Sequence, residues 1–196
     1  MPKNESILHS MLVVSGSDNI DAVIKSEVPV NHFMTIDIKR SAALARRLYF
    51  EKYYDIIVVN FPLTDETGLE FAIDIAEKGS SSVLVLVSNN QYGDILERVT
   101  DYGILAVAKP CPRGRISHAV RYLMAEQEKR QSIQKKLDKA EEKLTELRIV
   151  SKAKILLVEK RQMTEDEAHR YIGKCAMDQG VSRKRVAEEL LDDLED

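Results

Sequence analysis

The chain has 196 residues, 44% apolar and 31% charged, with a formal net charge of −3. That length holds one ordinary domain plus smaller modules, and the balanced charge excludes a globally basic nucleic-acid binder, so any such face must be local. Cys111 and Cys175 match no metal-ligand spacing, and His9, His32, His118 and His169 are scattered, so neither a metal site, a cofactor nor enzymatic catalysis is expected.

The N-terminus, Met1-Pro-Lys-Asn-Glu-Ser, lacks the apolar stretch of a signal peptide. No apolar run approaches the roughly 20 residues that span a bilayer, so a cytoplasmic protein with no membrane partner is expected. From there, strands and helices alternate. Met11-Leu-Val-Val and Phe33-Met-Thr-Ile-Asp-Ile read as strands, Asp55-Ile-Ile-Val-Val and Val83-Leu-Val-Leu-Val as stronger β-branched ones, and Leu105-Ala-Val-Ala as a fifth. Continuous rather than alternating apolar runs suit a parallel sheet covered on both faces. Helices are expected at Ser41–Glu51, Gly68–Lys78, Tyr92–Tyr102 and Pro112–Met124. This alternation predicts an α/β domain, a doubly wound five-stranded parallel sheet over residues 6–124.

Residues 113–159 hold almost no Gly or Pro after Gly114 and are dense in Glu, Lys, Gln and Leu. The stripe of Ile116, Val120 and Leu123 is interrupted by Gln127 and Arg130. Ile133, Leu137, Ala140, Leu144 and Leu147 then recur at 4-3-4-3 spacing, the seam of a coiled coil. A coiled-coil linker helix at 125–148 follows, and a homodimer is the expected assembly. The last segment, 149–196, prolongs the long helix into a three-helix tip. Thr164 and Glu167 form a capping box, the helix it opens runs to about Asp178, Gly180 ends it, and Ser182 caps a helix carrying Val186, Leu190, Leu191 and Leu194.

The first segment resembles the receiver domain of two-component response regulators, which is flavodoxin-like in fold. The resemblance rests on Leu12-Val-Val, the run Asp55-Ile-Ile-Val-Val-Asn-Phe-Pro-Leu-Thr-Asp-Glu-Thr-Gly-Leu-Glu, the strand ending in Ser88, and Lys109-Pro110. It implies a pocket of two acidic residues holding Mg²⁺, an acceptor Asp, a Ser or Thr and a Lys. Here the acidic pair falls on Ser15-Gly16 and the acceptor on Asn60, while Ser88 and Lys109 remain. A carboxamide is no usable nucleophile for a phosphoryl group, and Mg²⁺ lacks its hard oxygen ligands. Asp18 lies three positions past Ser15 and Asp65 in the following loop, so neither substitutes well. Aspartyl phosphorylation is not expected. Asn60 then either hydrogen-bonds Lys109 or Ser88 in a silent pocket, or the pocket senses another ligand or locks the domain in one state.

Residues Leu147 to Leu191 resemble the ANTAR domain, an RNA-binding output module of bacterial antitermination regulators. The matching pieces are Ala153-Lys154, Met163-Thr-Glu-Asp-Glu-Ala-His, Ile172, Ala176-Met177-Asp178 and Val186-Ala187-Glu188. Two positions depart: Ile155 stands where the family commonly has Gly, and Gly173 where an Arg is frequent. The resemblance implies RNA contacts on hairpins in nascent transcripts, expected here from Lys152, Ala153, Lys154, His169, Arg170, Lys174, Arg183 and Lys184. Charge agrees in sign: Arg148 to Ala187 holds ten basic and five acidic residues, about +5, while Glu188 to Asp196 holds six acids. Lys152 and Lys154 are expected to face outward, Arg170 and Lys174 share a helical face, His169 and Tyr171 are available for stacking, and Ala176 and Met177 are expected in the core. Basic helix faces are often merely solvated, so charge without the motif order would not carry this. The expected function is a dimeric RNA-binding antitermination regulator, with a sensor or regulator protein as a further partner. The alternative is a protein-interaction adaptor that uses the receiver-like domain and coil without RNA; DNA binding is weaker, as no helix-turn-helix pattern is evident.

Overall fold

The computed structural model describes residues 8–195, with side chains to Asp193. The first residues, read above for a signal peptide, the expected domain start at residue 6, the Leu194 side chain and Asp196 lie outside the described residues. Two compact units divide at Gln131 and Ser132.

In the first unit, five parallel strands form one sheet in the order β2-β1-β3-β4-β5: β1 (His9–Ser15), β2 (Phe33–Lys39), β3 (Ile56–Asn60), β4 (Ser82–Ser88) and β5 (Leu105–Lys109). This is the doubly wound sheet that the continuous apolar runs predict. Side chains alternate between two cores, as a pleated strand requires. Leu12, Val14, Ile57, Val59, Val83, Val85 and Val87 face α2 (Ala42–Glu51), α3 (Leu69–Glu77) and α4 (Tyr92–Thr100). Met11, Val13, Ile56, Val58, Leu84 and Leu86 face α1 (Asp18–Glu27) and the start of α5 (Arg115–Arg161), where Ile116, Val120 and Leu123 are buried. No expected helix covers α1, for a physical reason. Only Asp21 and Ile24 of its ten residues are buried, too narrow an apolar stripe to mark a helix.

Helix α5 is continuous over 47 residues. The apparent interruption at Gln127 and Arg130 is a polar attachment. Gln127, buried, accepts from Ser82 Oγ at 3.2 Å and donates to Tyr53 Oη at 2.7 Å and to the Ser80 carbonyl at 2.9 Å. Arg130 donates to the Gly79 carbonyl and Gln131 to Asp55. These bonds tie α5 to the amino end of β4 and satisfy the buried Gln127 amide and Ser82 hydroxyl.

The second unit packs the end of α5 against α6 (Glu165–Gln179) and α7 (Arg183–Glu195). Its core is Ala153, Leu157, Ala168, Ile172, Ala176, Val186, Ala187 and Leu190. The capping box is formed: Thr164 Oγ1 accepts from the Glu167 amide and the Glu167 carboxylate accepts from the Thr164 amide. Gly180 closes α6 at φ 65°, a left-handed conformation that only glycine adopts without cost. Along α5, Ile133, Leu137, Leu144 and Leu147 are each about half exposed, and Ala140 is exposed.

Candidate nucleic-acid interface and receiver pocket

Four strands end where a receiver would keep its chemistry. Ser15, Asn60, Ser88 and Lys109 are the last residues of β1, β3, β4 and β5. Parallel register puts Ser15 opposite Asn60 and Ser88 opposite Lys109, at the carboxyl ends where such sheets hold ligands. Asn60, buried, donates to Ser15 Oγ at 3.1 Å and accepts from Lys109 Nζ, which also donates to the Phe61 carbonyl at 2.8 Å. Burial pushes the Lys109 ammonium below its ordinary pKa, yet both its contacts are uncharged oxygens. Ser88 does not join them; its hydroxyl donates to Gln91 at 2.6 Å.

The donor set does not fit Mg²⁺. A Cβ on Gly16 would fall 2.9 Å from Thr64 Cγ2, so an acidic side chain at that position meets Thr64. The carboxylates nearby are held by Arg40, whose guanidinium donates to the Ser15 carbonyl at 3.1 Å, to Asp18 at 2.6 Å and to Asp21. An arginine thus neutralises the acids on which a hard cation would depend. Asp65 is committed to the start of α2, where it accepts the amides of Ala42 (2.9 Å) and Ala43 (3.0 Å). Those two amides, Ala43 first, hold its carboxyl below the usual carboxylate range. Among the described residues, no group of three or more His, Cys, Asp or Glu side chains could hold a metal ion.

On the tip, α5 and α6 sort the expected contact residues. Arg170 and Lys174 lie on the exposed face of α6 and line one groove with Gln162, Met163, Glu167 and Tyr171. Arg161 joins this group: its guanidinium donates to Tyr171 Oη at 3.1 Å and lies 5.7 Å from the ring centroid. Lys154 lines a different concavity and pairs with Glu165 at 2.7 Å. This ammonium, with a smaller contribution from His169, holds the Glu165 carboxyl down. Lys152 and His169 are exposed. Arg183 is exposed and extends over Gly173, where a Cβ would lie 3.7 Å from its Nη2. Lys184 pairs along α7 with Glu188.

Three expectations are corrected. Ala153 is fully buried in the tip core, so its methyl group packs against the core and offers nothing to a ligand. Lys154 is half-buried rather than outward-facing, because α6 crosses near it and supplies Glu165. Met177, expected in the core, is 77% exposed. It stands three and seven positions past Lys174 and Arg170 and so shares their outer face. Gln162, which lines the same groove as Arg170 and Lys174, and Arg161, which bonds Tyr171, are not among the expected residues. Their signal in the sequence is position: they close the long helix just before the Thr164 cap, at the corner that aims them beside α6.

The first unit has the receiver fold. It superposes on the signal receiver domain of an HD domain-containing protein from Pseudomonas fluorescens Pf-5 with a TM-score of 0.57 at 16% identity, covering 64% of this chain and 93% of that one. The receiver domain of the TMAO respiratory system response regulator TorR gives 0.53 at 19% identity, covering 60% and 98%. Residues 138–191 match the ANTAR domain model. The chain therefore joins a receiver-fold domain to an ANTAR domain, the architecture of an ANTAR response regulator. It is similar to the transcriptional regulatory protein PdtaR of Mycobacterium tuberculosis (strain H37Rv), 29% identical over 141 residues, covering 71% of this chain and 68% of that protein. No helix among the described residues is long and apolar enough to cross a membrane.

Proposed function

We propose that this chain is a transcription antitermination regulator that binds RNA hairpins as a dimer and is not switched by aspartyl phosphorylation. The observation that carries the RNA reading is the groove on α6, where Arg170 and Lys174 stand beside the Tyr171 ring with no acid but Glu167 among its lining. Glu167 is occupied by the Thr164 amide and hydroxyl, which hold its carboxyl below its ordinary range. Cations flanking an aromatic ring suit a single-stranded loop, where phosphates and unstacked bases are both presented. The ANTAR match and the name of the mycobacterial relative support regulation of transcription rather than catalysis. For the switch, the support is the amide at residue 60 and the arginine that holds Asp18 and Asp21. For the dimer, it is the half-exposed leucine stripe on α5, which a second copy would cover.

The test is binding of the full-length protein to a fluorescent RNA hairpin at two salt concentrations. Salt-sensitive binding that prefers structured RNA is expected, and removing one phosphate contact at Arg170 should lower the salt slope by about 0.7. Indifference to hairpin RNA at low salt overturns this and favours a protein-binding adaptor. Incubation with a small phosphodonor and Mg²⁺ should leave the protein unlabelled; stoichiometric labelling defeats the second half of the proposal.

A further inference from the structure

The corner between α5 and α6 is built more closely than a linker needs. Gln162 is the one non-glycine among the described residues with positive φ, 56°, a conformation unfavourable for an L side chain. The Gln162 side-chain Nε2 donates to the Glu159 carbonyl at 3.1 Å, which helps hold the turn. That turn brings the end of α5 against α6, so that the Arg161 guanidinium lies over the half-buried ring of Tyr171 while hydrogen-bonded to its hydroxyl. Arg170 and Lys174 then follow along α6, and Gln162 and Met163 line the end of the same groove.

Resting on the RNA reading above, we propose that this corner is a nucleobase-binding cleft. One unstacked base of a hairpin loop stacks against the Arg161–Tyr171 pair, with Gln162 and Met163 closing the end of the groove beside it. Arg170 and Lys174 take the flanking phosphates. The chemistry favours a nucleotide over a simple anion: an anion site needs no ring, and here an arginine is spent on fixing one. It also favours a nucleotide over an acidic peptide, because a planar π-face beside guanidinium and amide groups matches a base. Glu167, held in the capping box and facing Arg170 electrostatically, is one negative charge against Arg161, Arg170 and Lys174, so the cleft stays cationic on balance.

The test uses the full chain with a fluorescent hairpin and the same hairpin carrying abasic sites through its loop. Tyr171→Leu, which keeps apolar packing but removes the ring, should weaken intact-hairpin binding roughly ten-fold with an unchanged salt slope. It should also abolish the preference for intact over abasic loops. Arg161→Ala, at an exposed position, provides the second arm should the tyrosine variant fold poorly; it too should lose most of that preference. Lys174→Ala should lower the salt slope by about 0.7 and retain the preference. If the wild type binds hairpins but both ring-site variants keep full affinity and loop preference, the cleft assignment falls and the RNA function stands. Equal wild-type affinity for intact and abasic loops has the same meaning, as does equal competition by a polyglutamate peptide. A wild type that ignores every hairpin overturns the RNA reading and this cleft with it.

Discussion

Asp65 shows how a carboxylate near a degenerate pocket can be fully employed elsewhere. Its two oxygens accept from consecutive amides at the start of α2, beside the Ser41 cap, where a negative charge also meets the positive end of the helix dipole. With a folded-state pKa below its ordinary 3.8, this group favours folding above the ordinary value, and that contribution disappears as pH falls through the depressed one. Asp65→Asn should therefore unfold earlier in urea than the wild type at pH 7. The two midpoints should converge as pH drops below the depressed pKa, with no change in their gap between pH 7 and 5. A gap that persists in strong acid would remove the charge from this account. At this scale the sequence is legible for what is missing, since Ser15, Gly16 and Asn60 are read directly. It is silent on Arg40, because residues 40, 18 and 21 meet only through the β1–β2 pairing.

Helices and strands were legible where burial is one-sided or complete. β3 and β4 are buried on both faces and β-branched, so their runs stand out; α6 announces both its ends through Thr164 and Gly180. α1 carries little signal because its inward face is narrow, and the tip's surface residues carry less than its core. Met177 illustrates this: next to buried Ala176, it belongs to the other side of α6, and apolar character alone does not decide the side. Where three short helix faces share eight buried residues, each must matter. Leu157→Ala, at a fully buried site of α5 facing α6 and α7, should cost about 2–5 kcal/mol of the second unit's stability. Urea unfolding followed by far-UV circular dichroism measures it. A loss well under 1 kcal/mol would mean that the tip's helices draw their stability from somewhere other than this core.

At the scale of the whole molecule, the apolar stripe of α5 poses the remaining structural demand. Leu144 and Leu147 are each 55% exposed, Ile133 is as open, and beyond them Ile155 and Val158 also remain uncovered. A helix can leave single leucines in water, but a stripe at 4-3-4-3 spacing is hydrophobic area that association would remove. Glutamate at the seam places charge where a partner helix must approach, without touching the buried core of either unit. Leu137→Glu with Leu144→Glu should thus leave the circular dichroism spectrum unchanged and convert a dimer into a monomer in sedimentation experiments. If two tips grip two hairpins, the same variant should bind a single hairpin nearly as the wild type does yet lose the avidity for a tandem pair, because the second contact is no longer tethered. A wild type that sediments as a monomer at every concentration, or a double variant that keeps tandem-hairpin avidity, would assign the stripe to another partner.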